Sequence, residues 1–165
     1  LYKLHGSVSW ERASGTVFER TDPDPASVAL IYPAKGKYQQ AFMQPHLELF
    51  SRFIESLRTP NSCLLVSGFG FNDDHLSEPI VSAIKSNPSL KLIVADYNAK
   101  IHVENAQFGQ EGASAYWSEL TDLSLAGYDI HFLNLSFSDF VEQIPHLRAL
   151  SPAEQLAKAV RQAGK

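Results

Sequence analysis

The chain has 165 residues, of which 44% are hydrophobic, and a formal net charge of −4 at pH 7. This length and apolar content predict one globular domain with a sizeable core, and the acidic balance excludes the basic footprint typical of nucleic-acid-binding proteins. The sequence contains no run of about 18 apolar residues, the length needed to span a membrane. The single cysteine, Cys63, excludes an internal disulfide. We therefore expect a reducing, cytoplasmic setting, with neither nucleic acid nor membrane as a direct partner.

The first part of the chain is predicted to contain short strands and loops. Residues 1–5 form a strand-like run that ends at Gly6, and alternating residues on both sides of Ser14-Gly15 predict a hairpin. Residues 28–32 form another strand-like run, and residues 35–37 begin an exposed loop.

From residue 45 to residue 148, helical and strand patterns alternate. Apolar residues at helical spacing predict four helices, at residues 45–57, 76–86, 115–125 and 137–144. Continuous apolar runs predict three strands, at residues 64–66, 90–95 and 130–135. The first of these strands is expected to be central and buried on both faces, and the polar run at 98–112 is expected to be a long functional loop. The alternation predicts an α/β fold, a Rossmann-like and mostly parallel sheet with helices on both faces.

The two ends of the chain lead to further expectations. The sequence opens directly on a strand-like run without an initiator methionine. We therefore expect the N-terminal strands of the complete domain, and its glycine-rich first loop, to lie upstream of Leu1, so that this chain alone is weak or inactive. Near the other end, Pro152 opens a final helix that reaches about Ala163. We assign residues 1–148 to the C-terminal part of one domain, and residues 149–165 to a helix or linker.

A glycine turn follows the first apolar run. Gly68 and Gly70 permit a tight turn and the close approach of backbone to a ligand. After Phe71 come three residues of N-cap type, Asn72, Asp73 and Asp74. A strand, a glycine turn and a capped helix together build nucleotide crevices in open α/β sheets. Packing alone can also require such a turn, and at least one of the three polar residues is needed as a cap, so both interpretations stay open.

Two segments resemble one family. Lys3-Leu-His-Gly-Ser-Val-Ser-Trp10 resembles the catalytic-histidine segment of the sirtuin fold. Gly68-Phe-Gly-Phe-Asn-Asp-Asp-His-Leu76 resembles a segment of the sirtuin-like branch that serves prokaryotic antiviral defence. Residues 92–96 are similar to the next strand of that fold, whose end approaches the adenosine ribose. This resemblance covers about residues 1–148 and implies an NAD-binding domain that cleaves the nicotinamide–ribose bond of NAD+.

One difference from the deacylating sirtuins refines the expected activity. Those enzymes carry a four-cysteine zinc module after the histidine segment, whereas this chain has only Cys63. The resemblance therefore favours an NAD+ glycohydrolase with NAD+ as substrate and no zinc. Three alternatives stay open: a non-catalytic NAD+ or ADP-ribose sensing module, a zinc-less protein deacylase, and a structural domain without a ligand.

The resemblance implies His5 as the general base, a role that suits histidine because its unperturbed pKa is about 6.5. A histidine that is packed at a strand end and bonded to a backbone carbonyl is the alternative. The expected NAD+ contacts come from residues at strand ends and in the glycine turn, namely Gly6, Ser67, Gly68, Gly70, Asn72, Asp73, Asp96 and Asn98. Asp96 follows Gly68 by 28 residues (96 − 68 = 28), which exceeds the usual spacing of about 20 in dinucleotide folds, so a turn-forming role is its alternative. Trp10 and Trp117 are expected to anchor the core.

The remaining histidines lack the paired spacing with carboxylates that is typical of a metal site, so no metal is predicted. Uncontrolled cleavage would deplete the NAD+ pool, and we therefore expect a sensor or effector domain or subunit as a partner. Self-association is left open by the sequence.

Overall fold

The computed structural model describes residues 2–31, 43–109 and 114–144, together with Ala153, Leu156, Ala157 and Val160. The described strands are β1 (Gly6–Ala13), β2 (Thr16–Glu19), β3 (Val28–Leu30), β4 (Cys63–Ser67), β5 (Lys91–Asp96) and β6 (Ile130–Asn134). The described helices are a 3-10 turn (Pro25–Ser27) and α1 (His46–Arg58), α2 (Asp74–Ser86), α3 (Ala99–Phe108), α4 (Ala115–Leu125) and α5 (Phe137–Gln143). The loop predicted at residues 35–37 and most of the helix predicted after residue 151 lie outside the described residues, although the four described residues there are helical.

The N-terminal strands form an antiparallel sheet in the order β2-β1-β3. The predicted hairpin is confirmed, with positive φ angles of 50° at Ser14 and 78° at Gly15, as the tight turns that match strand twist require. The strand predicted at residues 1–5 is wrong, because residues 4 and 5 form a turn in which the Gly6 N–H donates to the Lys3 carbonyl at 2.8 Å. His5 therefore precedes an antiparallel strand and does not end a parallel one.

The three later strands form a parallel sheet in the order β4-β5-β6, which confirms the predicted α/β, Rossmann-like class. The expectation that β4 is central is wrong. Among the described residues β4 pairs only with β5, and Leu65 is 50% exposed. The central strand is β5, where Leu92 and Val94 are buried. An apolar run predicts a strand but does not tell which of its faces is covered, because that depends on the neighbouring elements.

Most predicted helices are confirmed, but the long loop predicted at residues 98–112 is wrong. Residues 99–108 form α3, which ends at Gly109 with a left-handed φ of 61°, while residues 110–113 lie outside the described part. The polar residues of this stretch cover an exposed helical face, and Ala99 is buried at its start. A polar stretch can thus form an amphipathic helix as well as a loop.

The main core lies between the parallel sheet and helices α2 and α4. Its largest fully buried side chains include Trp117, Phe71, Ile84 and Leu92. Trp117 is thus confirmed as a core anchor. Trp10 is not one, since its ring is partly exposed and the Lys3 ammonium lies 5.7 Å from the ring centre. None of the helices in the described ranges has the length and apolar character needed to cross a membrane.

Candidate active site

The turn before β1 positions His5. The His5 carbonyl accepts a 2.8 Å hydrogen bond from the Ile31 N–H, which continues the pairing with the strand β3. Its side chain, 38% exposed, points to the N-terminus of α2. The Nε2 atoms of His5 and His75 are 2.7 Å apart, a hydrogen-bond distance, so one ring donates to the other.

Asp73 completes a cluster with the two histidines. One carboxylate oxygen, Oδ1, is 2.5 Å from Nδ1 of His75, and the other, Oδ2, is 3.5 Å from Nε2 of His5. Asp73 is the N-cap residue of α2, but its side chain makes no capping hydrogen bond. The sequence predicted capping as the duty of at least one polar residue here; in the structure the carboxylate of the N-cap residue contacts the histidines instead.

Phe50 on helix α1 packs against both imidazoles. Its ring centre lies 5.2 Å from that of His75 in an edge arrangement and 6.3 Å from that of His5. The side chain of His75 is only 9% exposed. This apolar cover limits solvent around the hydrogen bonds and strengthens their electrostatic component.

His46 and Gly6 hold the histidine segment against α1. Nδ1 of His46 is 3.1 Å from the Leu4 carbonyl, to which it donates. Burial lowers the pKa of His46 below its usual value, an effect that the Leu4 hydrogen bond opposes and the Arg12 charge reinforces. A Cβ atom on Gly6 would lie 2.1 Å from the Ala29 carbonyl oxygen in β3 and 2.9 Å from Cε1 of His46 on α1. Gly6 thus has a packing reason to be glycine, and its contact with NAD+ stays a prediction.

Phe71 anchors the glycine turn after β4. Phe71 is fully buried at a positive φ of 54°, a strained conformation for a large side chain. Gly68 also has a positive φ, of 67°, and a Cβ there would meet no atom within 4 Å. A Cβ on Gly70 would lie 2.8 Å from Nδ2 of Asn72. The outer side of Gly68 is therefore open, whereas a side chain at Gly70 would displace the exposed Asn72 amide.

The predicted contacts at the other strand ends have local structural roles. Ser67 ends β4 and pairs with Ala95, so Asp96 lies one residue further along the adjacent strand. Oδ1 of Asp96 accepts a 2.7 Å hydrogen bond from the Asn98 N–H and forms a turn. Asn98 is the N-cap of α3 without a side-chain capping bond, and Oδ1 of Asn134 accepts from the Lys100 N–H instead. The NAD+ contacts of these residues stay predictions.

The Asp73, His75 and His5 side chains also offer one potential metal ligand each, within 4.8 Å of one another. Zinc accepts such ligands, but Zn–N bonds of about 2.0–2.1 Å separate two tetrahedral nitrogen ligands by about 3.3 Å. The two Nε2 atoms are closer, at 2.7 Å, so the rings would have to separate to admit an ion. The absence of a metal stays a prediction.

A groove of about 420 Å³ runs between α1 and α2, with His75 in its lining. Its walls are mostly apolar, from residues such as Phe50 and Ile54, and two charged side chains, Arg58 and Glu78, also line it. Of the three clustered side chains, His75 lines this groove, which is large enough for part of a small ligand.

Sequence reasoning missed His75. The spacing of His75 from other residues does not indicate a metal site, and no other role was considered for it. An aspartate at the N-cap of a helix and a histidine two residues later, however, lie in the same turn. That proximity lets the carboxylate reach the ring, and the pattern Asp73-x-His75 is visible in the sequence.

The fold defines the class of protein to which the His5, Asp73 and His75 cluster belongs. A parallel sheet with helical crossovers and a glycine turn at a strand end is Rossmann-like, an architecture that commonly binds nucleotides. The sequence matches the family model of the SIR2-like domain over residues 1–120, and the chain belongs to this family. The family generally uses NAD+. A comparison with curated proteins found no match.

The family match confirms the resemblance to sirtuins that the two motifs indicated. The chain has one cysteine, Cys63, and cannot supply a four-cysteine zinc module. Membership of the antiviral branch, and the placement of the chain in the C-terminal part of a larger domain, stay predictions.

Proposed function

We propose that this chain belongs to an NAD+ glycohydrolase that cleaves the nicotinamide–ribose bond, with His5 as general base. The contact between His5 and His75, at 2.7 Å, is the observation that carries the proposal. It brings a histidine from the antiparallel sheet to the helix that follows the glycine turn of the parallel sheet. In a Rossmann-like domain this edge of the sheet is where nucleotides bind.

The chemistry of the bond fits the residues at this edge. Cleavage develops an oxocarbenium-like ribose, as in glycoside hydrolysis. The protein must orient the dinucleotide and activate a water or a ribose hydroxyl. Backbone N–H groups around Gly68 and the N-terminus of α2 favour anionic groups such as phosphate, and Ser67 and Asp96 lie at adjacent strand ends to meet ribose hydroxyls.

The test is the substitution His5→Ala in the full-length protein, with nicotinamide release measured by chromatography. We expect the rate to fall about 100-fold or more, as for loss of a general base. His131→Ala is the matched control, because His131 is an exposed histidine that also contacts an aspartate, Asp129, at 2.7 Å. Unchanged turnover in a folded His5→Ala variant would refute the assignment.

Two further measurements on the full-length protein separate the alternative functions. Calorimetry that detects NAD+ or ADP-ribose binding without any nicotinamide release by the full-length protein would favour a sensing module. Turnover of an acylated peptide would favour a zinc-less deacylase.

The proposal extends to a role in cytoplasmic antiviral defence, because the segment from Gly68 to Leu76 resembles that branch of the family. A sensor or effector domain or subunit is the proposed partner, since free cleavage would exhaust cellular NAD+. We expect NAD+ to fall after phage infection in bacterial cells that express the full-length wild type and to persist with His5→Ala. Equal NAD+ levels in both strains would contradict the defence role.

A further inference from the structure

Three side chains are joined by polar contacts: a line from Asp73 through His75 to the proposed base, His5, and a longer direct contact of 3.5 Å between Oδ2 of Asp73 and Nε2 of His5. Asp73 contacts Nδ1 of His75 at 2.5 Å, and Nε2 of His75 lies 2.7 Å from Nε2 of His5. We propose that His75 and Asp73 are positioning residues that set the tautomer of His5 and receive its excess proton. The inference rests on the proposed function, because it explains how His5 accepts a proton there.

The hydrogen positions follow from the chemistry of each group. An ionised carboxylate only accepts hydrogen bonds, so Nδ1 of His75 carries the hydrogen that is donated to Asp73. Neutral His75 then has a lone pair at Nε2, and the hydrogen in the 2.7 Å contact comes from Nε2 of His5. The lone pair of neutral His5 is therefore at Nδ1, and this atom is the base.

The same line of contacts can move a proton away from the substrate. When Nδ1 of His5 takes a proton from water or a ribose hydroxyl, the Nε2 proton of His5 passes to Nε2 of His75. His75 becomes an imidazolium, and the Asp73 carboxylate beside it compensates the charge. One proton enters at Nδ1 and one leaves at Nε2, so no further reactant is required.

Two observations favour this role over simple helix capping. Asp73 occupies the N-cap position of α2, yet its side chain makes no capping bond, although such a bond typically stabilises a helix by about 1 kcal/mol. The Asp73 carboxylate also lies 2.5 Å from Nδ1 of His75, whose side chain is only 9% exposed, so solvent weakens this contact little.

The first test measures steady-state NAD+ cleavage by the full-length protein. His75→Gln keeps a hydrogen-bonding group near His5 but cannot take a proton, and Asp73→Asn removes the negative charge. We expect each to lower kcat about 10- to 100-fold, the range of a partial loss of acid–base function. Asp74→Asn is the matched control, since it removes the charge of an exposed neighbouring carboxylate, and we expect less than about a twofold change. Wild-type kcat in a folded His75→Gln or Asp73→Asn variant would overturn the proposal.

The second test does not depend on activity. Imidazole ¹⁵N NMR of the wild type, at a pH where both rings are neutral, distinguishes the two tautomers of each histidine. We expect hydrogen at Nδ1 of His75 and at Nε2 of His5, and a shift of the His75 signals towards the other tautomer in Asp73→Asn. Hydrogen at Nε2 of His75 in the wild type would overturn the proposal. If the wild type released no nicotinamide, the proposed function would fail, while the NMR result would still decide the tautomers.

Discussion

The two sheets that meet at the candidate site are stabilised in different ways. The parallel-sheet region has its own core, with buried members from Leu57 to Ile130. In the antiparallel sheet, the described residues 2–31 contain two buried apolar side chains, Ala29 and Ile31. This sheet is joined to α1 where His46 bonds to the Leu4 carbonyl. The position of His5 is thus set by its backbone bond to Ile31 and by this contact with α1, and not by a large core of its own sheet.

The largest effect should come from breaking the core beneath the glycine turn. Phe71 is 0% exposed, and its ring lies 4.9 Å from Phe69 and 5.6 Å from Trp117. We expect Phe71→Ala to lower the free energy of unfolding by about 3–5 kcal/mol, because it leaves a cavity. Urea denaturation measures this loss. Phe137→Ala is the control, since Phe137 is 69% exposed, and a comparable loss there would contradict the account of the core.

A smaller effect should come from breaking the interface while leaving the core intact. Gly6 and Gly15 have similar positive φ angles, 85° and 78°. A Cβ on Gly6 would lie 2.1 Å from the Ala29 oxygen in its own sheet and 2.9 Å from Cε1 of His46 across the interface, whereas one on Gly15 would meet nothing within 4 Å. We expect Gly15→Ala to cost about 1–2 kcal/mol from backbone strain alone. Gly6→Ala should cost about 1–3 kcal/mol more, from overpacking.

Amide hydrogen exchange shows which part of the protein loses stability in the Gly6→Ala variant. With Gly6→Ala, protection should fall across residues 2–31 more than across residues 57–130, and NAD+ cleavage should fall with it because His5 moves. Equal stabilities of the two glycine variants would show that close packing at Gly6 does not support the interface.

The smallest effect is a pH dependence of the same interface. Burial lowers the pKa of His46 in the folded protein, whereas in the unfolded chain it is about 6.5. As the pH falls below about 6.5, the unfolded state binds more protons, so stability falls until the folded-state pKa is passed. The slope from one such group is at most about 1.4 kcal/mol per pH unit.

The substitution His46→Asn removes the contribution of His46 to the pH dependence of stability. Asparagine keeps a donor for the Leu4 carbonyl and does not titrate, so the loss of stability on acidification should be shallower than in the wild type. Urea denaturation between pH 7.5 and pH 5.5 measures how steeply the free energy of unfolding changes with pH in each protein. This range covers roughly one pH unit on each side of the unfolded-state pKa. Identical slopes would show that His46 does not contribute to the acid sensitivity of the interface.

Local patterns in the sequence predicted much of the parallel-sheet region. The spacing of Leu76, Ile80 and Ile84 indicated α2, and the break at Asn87-Pro88 marked its end, because a helix and its stop are decided by neighbouring residues. The same reasoning failed at residues 98–112, where polar residues cover the exposed face of α3. Polarity alone cannot separate such a face from a loop.

The sequence by itself determined the family, the alternation of strands and helices and the glycine turn, all of which depend on residue types and short spacings. Only the tertiary structure decided that β4 pairs with β5 alone among the described strands, and that Asp73 contacts histidines instead of capping α2. It also brought together His5 and His75, which are 70 residues apart in the chain. No local pattern encodes such a contact, because it arises from how α1 and the two sheets pack.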